Sequence, residues 1–251
     1  MATIGIFDSG SGGLSVYREE VKLLPAEHFV YFADNSHVPY VEKTAEYIQD
    51  RARHITDFLL GKGADIIVVA CNTATAAAIS TLRAEYPSVP FVGMEPAVKP
   101  AALGTKTGVI GVLATAGTLK GSKYLNTRGL YEDDVRIVEH VGQGFVELVE
   151  NGIFDGPEAE ATVRASLQPL LDEGADTIVL GCTHYPFLRG VIERIAGPGV
   201  QVIDPAPAVA RQTLRLLQEK GVTLGEGPFS VELHASADPS GLHRIFDLGM
   251  A

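Results

Sequence analysis

The chain holds only two cysteines, Cys71 and Cys182, and both follow short apolar runs, IIVVA and TIVLG. The next residues, Asn72-Thr73 and Thr183-His184, are polar and stand where helices are expected to begin. Unpaired N–H groups and partial positive charge at a helix N-terminus favour a thiolate and attract an anionic group such as a carboxylate. A free thiol titrates near about 8.5, and a site of this kind lowers that value. Two such thiols suit inversion at a carbon, in which a proton leaves one face and another arrives at the opposite face. That chemistry needs two acid/base groups with pKa values close to the working pH. It also needs fixed donors for the charge that develops beside a carboxylate. Ser9, Asn72, Thr73, Thr115 and Thr183 lie at or near the ends of expected strands and are candidates for that task. The plainer reading is a pair of buried structural thiols or a disulfide. No CxxC is present and only His184 is near in sequence, so a structural zinc site is not expected.

Other polar residues fit around the thiols. Asp8 ends the first expected strand, where it either orients a thiol, meets a substrate ammonium group, or caps the glycine-rich turn SGSGG. That turn lacks both the GxGxxG spacing and the GK[ST] ending of nucleotide-binding loops. His184 is placed to pair with Cys182 or a carboxylate. His37 and His140 read as structural or exposed. Glu150 ends the amphipathic stretch FVELVE and, on pattern alone, reads as a solvated helix charge.

The elements that must position these residues alternate. Strands are expected at Thr3–Phe7, Phe29–Ala33, Ile66–Ala70, Phe91–Gly93, Gly108–Leu113, Arg136–Glu139, Thr177–Leu180 and Val200–Ile203. Amphipathic helical stretches, including Glu42–Leu60, Glu158–Glu173 and Ala206–Glu219, lie between them. Continuous Ile/Val runs separated by helices predict an α/β fold with mainly parallel strands covered on both faces. The chain also echoes itself. Gly63-Ala64-Asp65 and Gly174-Ala175-Asp176 each precede a strand and a cysteine, 111 positions apart, and Pro96-Ala97-Val98 returns as Pro207-Ala208-Val209 at the same spacing. The strand IGIF before Asp8-Ser9 is echoed by IGVL before Ala114-Thr115. Two similar α/β domains follow, 1–97 with 208–251 and 98–207. An approximate twofold between them would turn the two thiols toward one interdomain cleft. The last residues, with a strand at Phe229–His234, are expected to return to the first domain.

Composition sets the outer bounds. With 46% hydrophobic and 20% charged residues, the chain can bury a full core. A net charge of -11 without a Lys/Arg cluster argues against nucleic acid as a partner. No apolar run is long enough to span a membrane. The start MATIGIFDSG lacks a signal-type segment, which points to the cytoplasm.

Several longer strings resemble glutamate racemases of the aspartate/glutamate racemase superfamily. They are FDSGSGGLS, FADNSHVPY, ACNTATA and GCTHYPFL, with LATAGTLKGSKY, FVELVENG, VIDPAPAVA and VELHASAD in further agreement. They run from the first strand almost to the C-terminus. The resemblance implies two α/β domains, no cofactor and no metal, and Cys71 and Cys182 as the acid/base thiols for the D- and L-enantiomer respectively. It implies that Asp8, Ser9, Tyr40, Val41, Asn72, Thr73, Thr115, Thr183 and His184 hold the substrate, and that Asp8, Glu150 and His184 tune the thiols. The implied partner is glutamate, with D-glutamate serving peptidoglycan synthesis, and a homodimer is compatible with the resemblance. Two departures stand out: Val41 where the family usually has Gly, and Gly142-Gln143-Gly144 where it usually has Cys-Pro-Leu.

Three other activities fit parts of the pattern. A racemase for aspartate or another amino acid shares the two thiols, although Thr183 before His184 is closer to the glutamate enzymes. A cysteine-nucleophile hydrolase needs one thiol and leaves the second surplus. A two-lobed binder without catalysis shares the shell alone.

Overall fold

A computed structural model describes residues 1–250. In chain order the elements are β1 (Thr3–Asp8), α1 (Leu14–Leu23), β2 (His28–Ala33), α2 (Ala45–Gly61), β3 (Ile66–Val69), α3 (Asn72–Glu85) and β4 (Phe91–Gly93). There follow α4 (Val98–Gly104), β5 (Val109–Ala114), α5 (Ala116–Lys120), α6 (Ser122–Gly129), β6 (Arg136–Val141) and α7 (Phe145–Glu150). The chain continues through α8 (Pro157–Asp172), β7 (Thr177–Gly181), α9 (Arg189–Ala196) and β8 (Gln201–Ile203). It ends with α10 (Ala206–Glu219), β9 (Ser230–Ala235) and α11 (Ser240–Met250).

The chain divides into two compact units, Met1–Met94 with the segment from Ala206 onward, and Glu95–Pro205. The breaks fall two or three residues before positions 97/98 and 207/208. The first unit's sheet has the order β4-β3-β1-β2-β9 and the second unit's the order β6-β5-β7-β8. All pairings are parallel. Read from the other edge, the second sheet runs β8-β7-β5-β6, which matches β4-β3-β1-β2 strand for strand. The sequence echo is therefore a repeat of topology, with β9 added at one edge of the first sheet.

Local chemistry explains the elements. Ile66, Ile67, Val68 and Val69 of β3 are all fully buried, as β-branched residues of a strand covered on both faces should be. Helix α2 starts at Thr44, whose side chain accepts the Tyr47 N–H at 3.2 Å. It buries Ile48, Ala52, Ile55 and Leu59, a stripe at helical spacing. The echoed glycines have one geometric role. Gly63 and Gly174 both take φ +85°, open to glycine, and turn the chain out of a helix toward the next strand. Asp65 then accepts the Thr3 N–H at 2.8 Å, and Asp176 accepts the Lys106 and Thr107 N–H groups at 2.6 and 2.9 Å. The last segment returns to the first unit as expected: α10 packs on α1, and β9 pairs with β2. Among the described residues no helix is long and apolar enough to cross a membrane.

Candidate active site

At the carboxyl edge of the first sheet, β1 delivers Asp8 and Ser9, and β3 delivers Cys71 and Asn72. Such edges are where open parallel sheets bind ligands. Cys71 is itself the cap of α3. Its Sγ accepts the Ala74 N–H at 3.4 Å, and its thiol faces Ser9 Oγ at 3.7 Å. The helix N-terminus expected at this thiol is present. Asn72 is buried; its Nδ2 donates to Met94 O at 3.4 Å, and its Oδ1 has no hydrogen-bond partner among the described residues. Thr73 follows in the first turn of α3.

Asp8 is fully buried, and its Oδ2 accepts the N–H groups of Gly10 at 3.2 Å and Gly13 at 3.0 Å. It thus shapes the SGSGG turn. The turn is packed tightly: a Cβ on Gly13 would lie 2.7 Å from the Asp8 Cβ and 2.8 Å from Tyr31 Oη. Tyr40 opens a short 3-10 helix, Tyr40–Glu42, and is buried. Val41 is half-exposed, and among the described residues no non-glycine residue has positive φ. The family's glycine is therefore not needed here for a left-handed backbone.

In the second unit, β5 delivers Thr115 and β7 delivers Cys182, Thr183 and His184. Thr115 caps α5, accepting the Thr118 N–H at 3.3 Å. The setting of Cys182 corrects one expectation. No α-helix starts there; a turn and a 3-10 helix, Tyr185–Leu188, come before α9. The cause is one residue. In α3 the Thr75 N–H bonds Cys71 O at 2.8 Å, but the position 111 further on is Pro186, which has no N–H. The Cys182 carbonyl instead takes the Tyr185 N–H at 3.1 Å.

Cys182 has a different partner. His184, the counterpart of Thr73, brings Nδ1 to 3.7 Å from Cys182 Sγ, and its Nε2 lies 2.7 Å from Glu150 Oε1. Burial works against charge on this ring, yet the hydrogen bonds with Cys182 and Glu150 hold its pKa well above the ordinary histidine value. His184 thus lies between two groups that favour its protonated form. Glu150 is a partner of a buried ring, not a solvated helix charge. Helix α7 places it, and the two unusual glycines place α7. Gly144 sits at the helix start with φ +79°. A Cβ on Gly142 would fall 2.5 Å from Tyr185 Oη, inside the space that buried ring fills.

Asp34 and Arg51 were not singled out from the sequence. Asp34 is fully buried and holds both Arg51 and Tyr40. The string FADNSHVPY contains Asp34, but its partner Arg51 lies 17 positions away.

Residues 4–213 match the Asp/Glu/hydantoin racemase family. The chain belongs to that family. Its curated relatives include the glutamate racemases of Ectopseudomonas mendocina, 47% identical over 98% of this chain and 94% of the relative, and of Pseudomonas aeruginosa, 46% identical over 98% and 93%. Among solved structures, the glutamate racemase isoform RacE1 of Bacillus anthracis superposes with a TM-score of 0.87 at 33% identity, covering 97% of this chain and 92% of that one. The Escherichia coli glutamate racemase, solved with L-glutamate and the activator UDP-MurNAc-Ala, gives 0.86 at 33% identity over the same shares, 97% and 92%. This member of the racemase family is an isomerase of a small-molecule substrate, built on the two-sheet α/β fold of its relatives.

Proposed function

We propose that the protein interconverts L- and D-glutamate without a cofactor, using Cys71 and Cys182 as acid/base groups on opposite faces of one α-carbon. The observation that carries this reading is the equivalence of the thiols. Each follows the corresponding strand, β3 or β7, in two sheets of the same order. In the L-to-D direction the Cys182 thiolate takes the α-proton, and the Cys71 thiol gives its proton to the other face. Cys182 then carries a proton and Cys71 is a thiolate, the form that acts on D-glutamate. Exchange with solvent, Cys182 losing a proton and Cys71 gaining one, restores the form that acts on L-glutamate.

The surrounding groups suit these steps. His184 donates toward Cys182 and steadies its thiolate. The Ala74 N–H does so for Cys71. The buried Asn72 Oδ1, lacking a partner among the described residues, is an acceptor for the substrate ammonium. Ser9, Thr73, Thr115 and Thr183 offer hydroxyls, and Tyr40 and Val41 their backbone, to the two carboxylates. Asp8 fixes the turn that carries Ser9. A cytoplasmic location and a homodimer are compatible with this reading, in which D-glutamate supplies peptidoglycan synthesis.

The test is to incubate each enantiomer with folded, reduced protein in deuterated water. Circular dichroism and α-deuterium uptake are followed together. Both enantiomers are expected to lose optical activity while gaining deuterium. Absence of exchange from either enantiomer rejects the assignment.

A further inference from the structure

The loop between β2 and α2 carries Tyr40 and Val41, which the proposed reading sets against the substrate. Side chains that this reading does not use tie the loop down. Asp34 leaves the end of β2 with its N–H on Asp8 O at 2.9 Å, so it is fixed to the strand that carries Asp8 and Ser9. Its fully buried carboxylate accepts three hydrogen bonds: Arg51 Nη2 to Oδ1 at 2.8 Å, Arg51 Nε to Oδ2 at 3.0 Å, and Tyr40 Oη to Oδ2 at 2.6 Å. A second tie lies beside it, where His37 Nδ1 is 2.5 Å from Tyr47 Oη. Arg51 and Tyr47 are one turn apart on α2, so one helix holds the loop at two points.

A phenol has one proton to donate. Here it goes to a carboxylate that a forked guanidinium keeps ionised, which is a strong, directional arrangement. Burial works against charge on Asp34, but Arg51 and Tyr40 hold its carboxyl below the usual range. Burial and the neighbouring Asp34 push the Tyr40 phenol upward, so it stays neutral.

We propose that Arg51 and Asp34 are positioning residues acting through Tyr40. The ion pair claims the phenol's only proton, so the side chain is a peg for the loop. The substrate then meets the Tyr40–Val41 backbone and not the hydroxyl. The proposal rests on the reading that this loop borders the substrate. Val41 fits it: a residue needed for its backbone tolerates a changed, half-exposed side chain.

The test uses Arg51→Met, Arg51→Lys, Tyr40→Phe and the double variant Arg51→Met/Tyr40→Phe in the full chain. Arg51→Met is expected to raise KM for glutamate about tenfold, with a smaller change in kcat, since the chemistry at the thiols is untouched. Arg51→Lys keeps the charge without the fork and should fall between Arg51→Met and the parent. Because Arg51 acts through Tyr40, the double variant should be no worse than the worse single variant. Amide exchange across residues 35–44 should quicken in each variant, a readout that does not depend on turnover. If the parent shows no α-deuterium uptake, the racemase reading fails while the exchange data still judge the tie. Effects that multiply in the double variant, a loss in kcat at unchanged KM, or unchanged loop exchange would each overturn the proposal. Should Arg51→Met not fold, Arg51→Lys paired with Tyr40→Phe decides by the same criteria.

Discussion

The two thiols occupy equivalent places but are supported by different groups. Cys71 receives a backbone N–H from α3, whereas Cys182 receives His184, backed by Glu150. The Glu150–His184 pair gives a sharp prediction. Glu150→Gln removes the anion at Nε2, so the His184 titration, followed by imidazole NMR, should move to lower pH than in the parent. The sign for stability follows. A histidine with a raised folded-state pKa contributes fully below its unfolded value of about 6.5, and the contribution is lost as pH rises through the folded value. The parent's advantage over Glu150→Gln should therefore shrink on the alkaline side in denaturant titrations. Turnover should drop roughly tenfold to hundredfold, since proton transfer at Cys182 loses its tuned neighbour. An unmoved imidazole titration would remove Glu150 from this role. Glu150 was hard to read from the sequence because its partner lies 34 positions away and its helix pattern resembles any amphipathic surface. His184 was easier, standing two residues from a strand-end cysteine.

At the scale of elements, strands and helices were legible because their periodicities are local. The expected strand at Ile66–Ala70 and the observed Ile66–Val69 differ by one residue, and α10 spans Ala206–Glu219 as expected. The absent helix start at Cys182 turned on Pro186 removing one hydrogen bond, a local signal that the cysteine pattern overshadowed. A buried acid in the packing of α1 on α10 was also not visible, since Glu20 sits in an ordinary run of helix charges, REE. Glu20 is fully buried; its Oε1 accepts from Thr213 Oγ1 at 2.6 Å, and its Oε2 has no partner among the described residues. Burial raises its carboxyl pKa to about 8, against the small downward pull of the Thr213 bond. The folded state thus keeps a proton that the unfolded chain releases near its ordinary value, so stability falls as pH rises between those two values. Glu20→Gln, which keeps an acceptor for Thr213, should flatten that slope. Between pH 5 and pH 8 it should gain on the parent by on the order of 3 kcal/mol in chemical denaturation. Parallel pH curves for parent and variant would show that Glu20 ionises normally.

At the scale of the whole molecule, the repeat carries one more feature. Helix α4 follows β4 of the first unit but packs on β5 and β7, while α10 follows β8 of the second unit but packs on α1 and β4. Each repeat thus ends by giving its last helix to the other unit, and the echoed Pro-Ala-Val strings lie at these exchanges. A duplicated chain of this kind places one thiol at the same strand end twice, and this makes a two-base reaction testable by deletion. The chain has only two cysteines, so Cys71→Ser and Cys182→Ser each leave a single thiol. A one-thiol hydrolase would tolerate one of these changes. The two-base reading predicts that both variants lose racemisation by on the order of a thousandfold or more, as expected when an acid/base group is removed. It also predicts a mirrored remnant in deuterated water. With Cys182 alone, L-glutamate should take up deuterium faster than it inverts, because proton removal and return share one face. With Cys71 alone, D-glutamate should behave in the same way. Turnover at the parent rate in either variant would refute the mechanism, and a remnant favouring the same enantiomer in both would break the assignment of one thiol to each face.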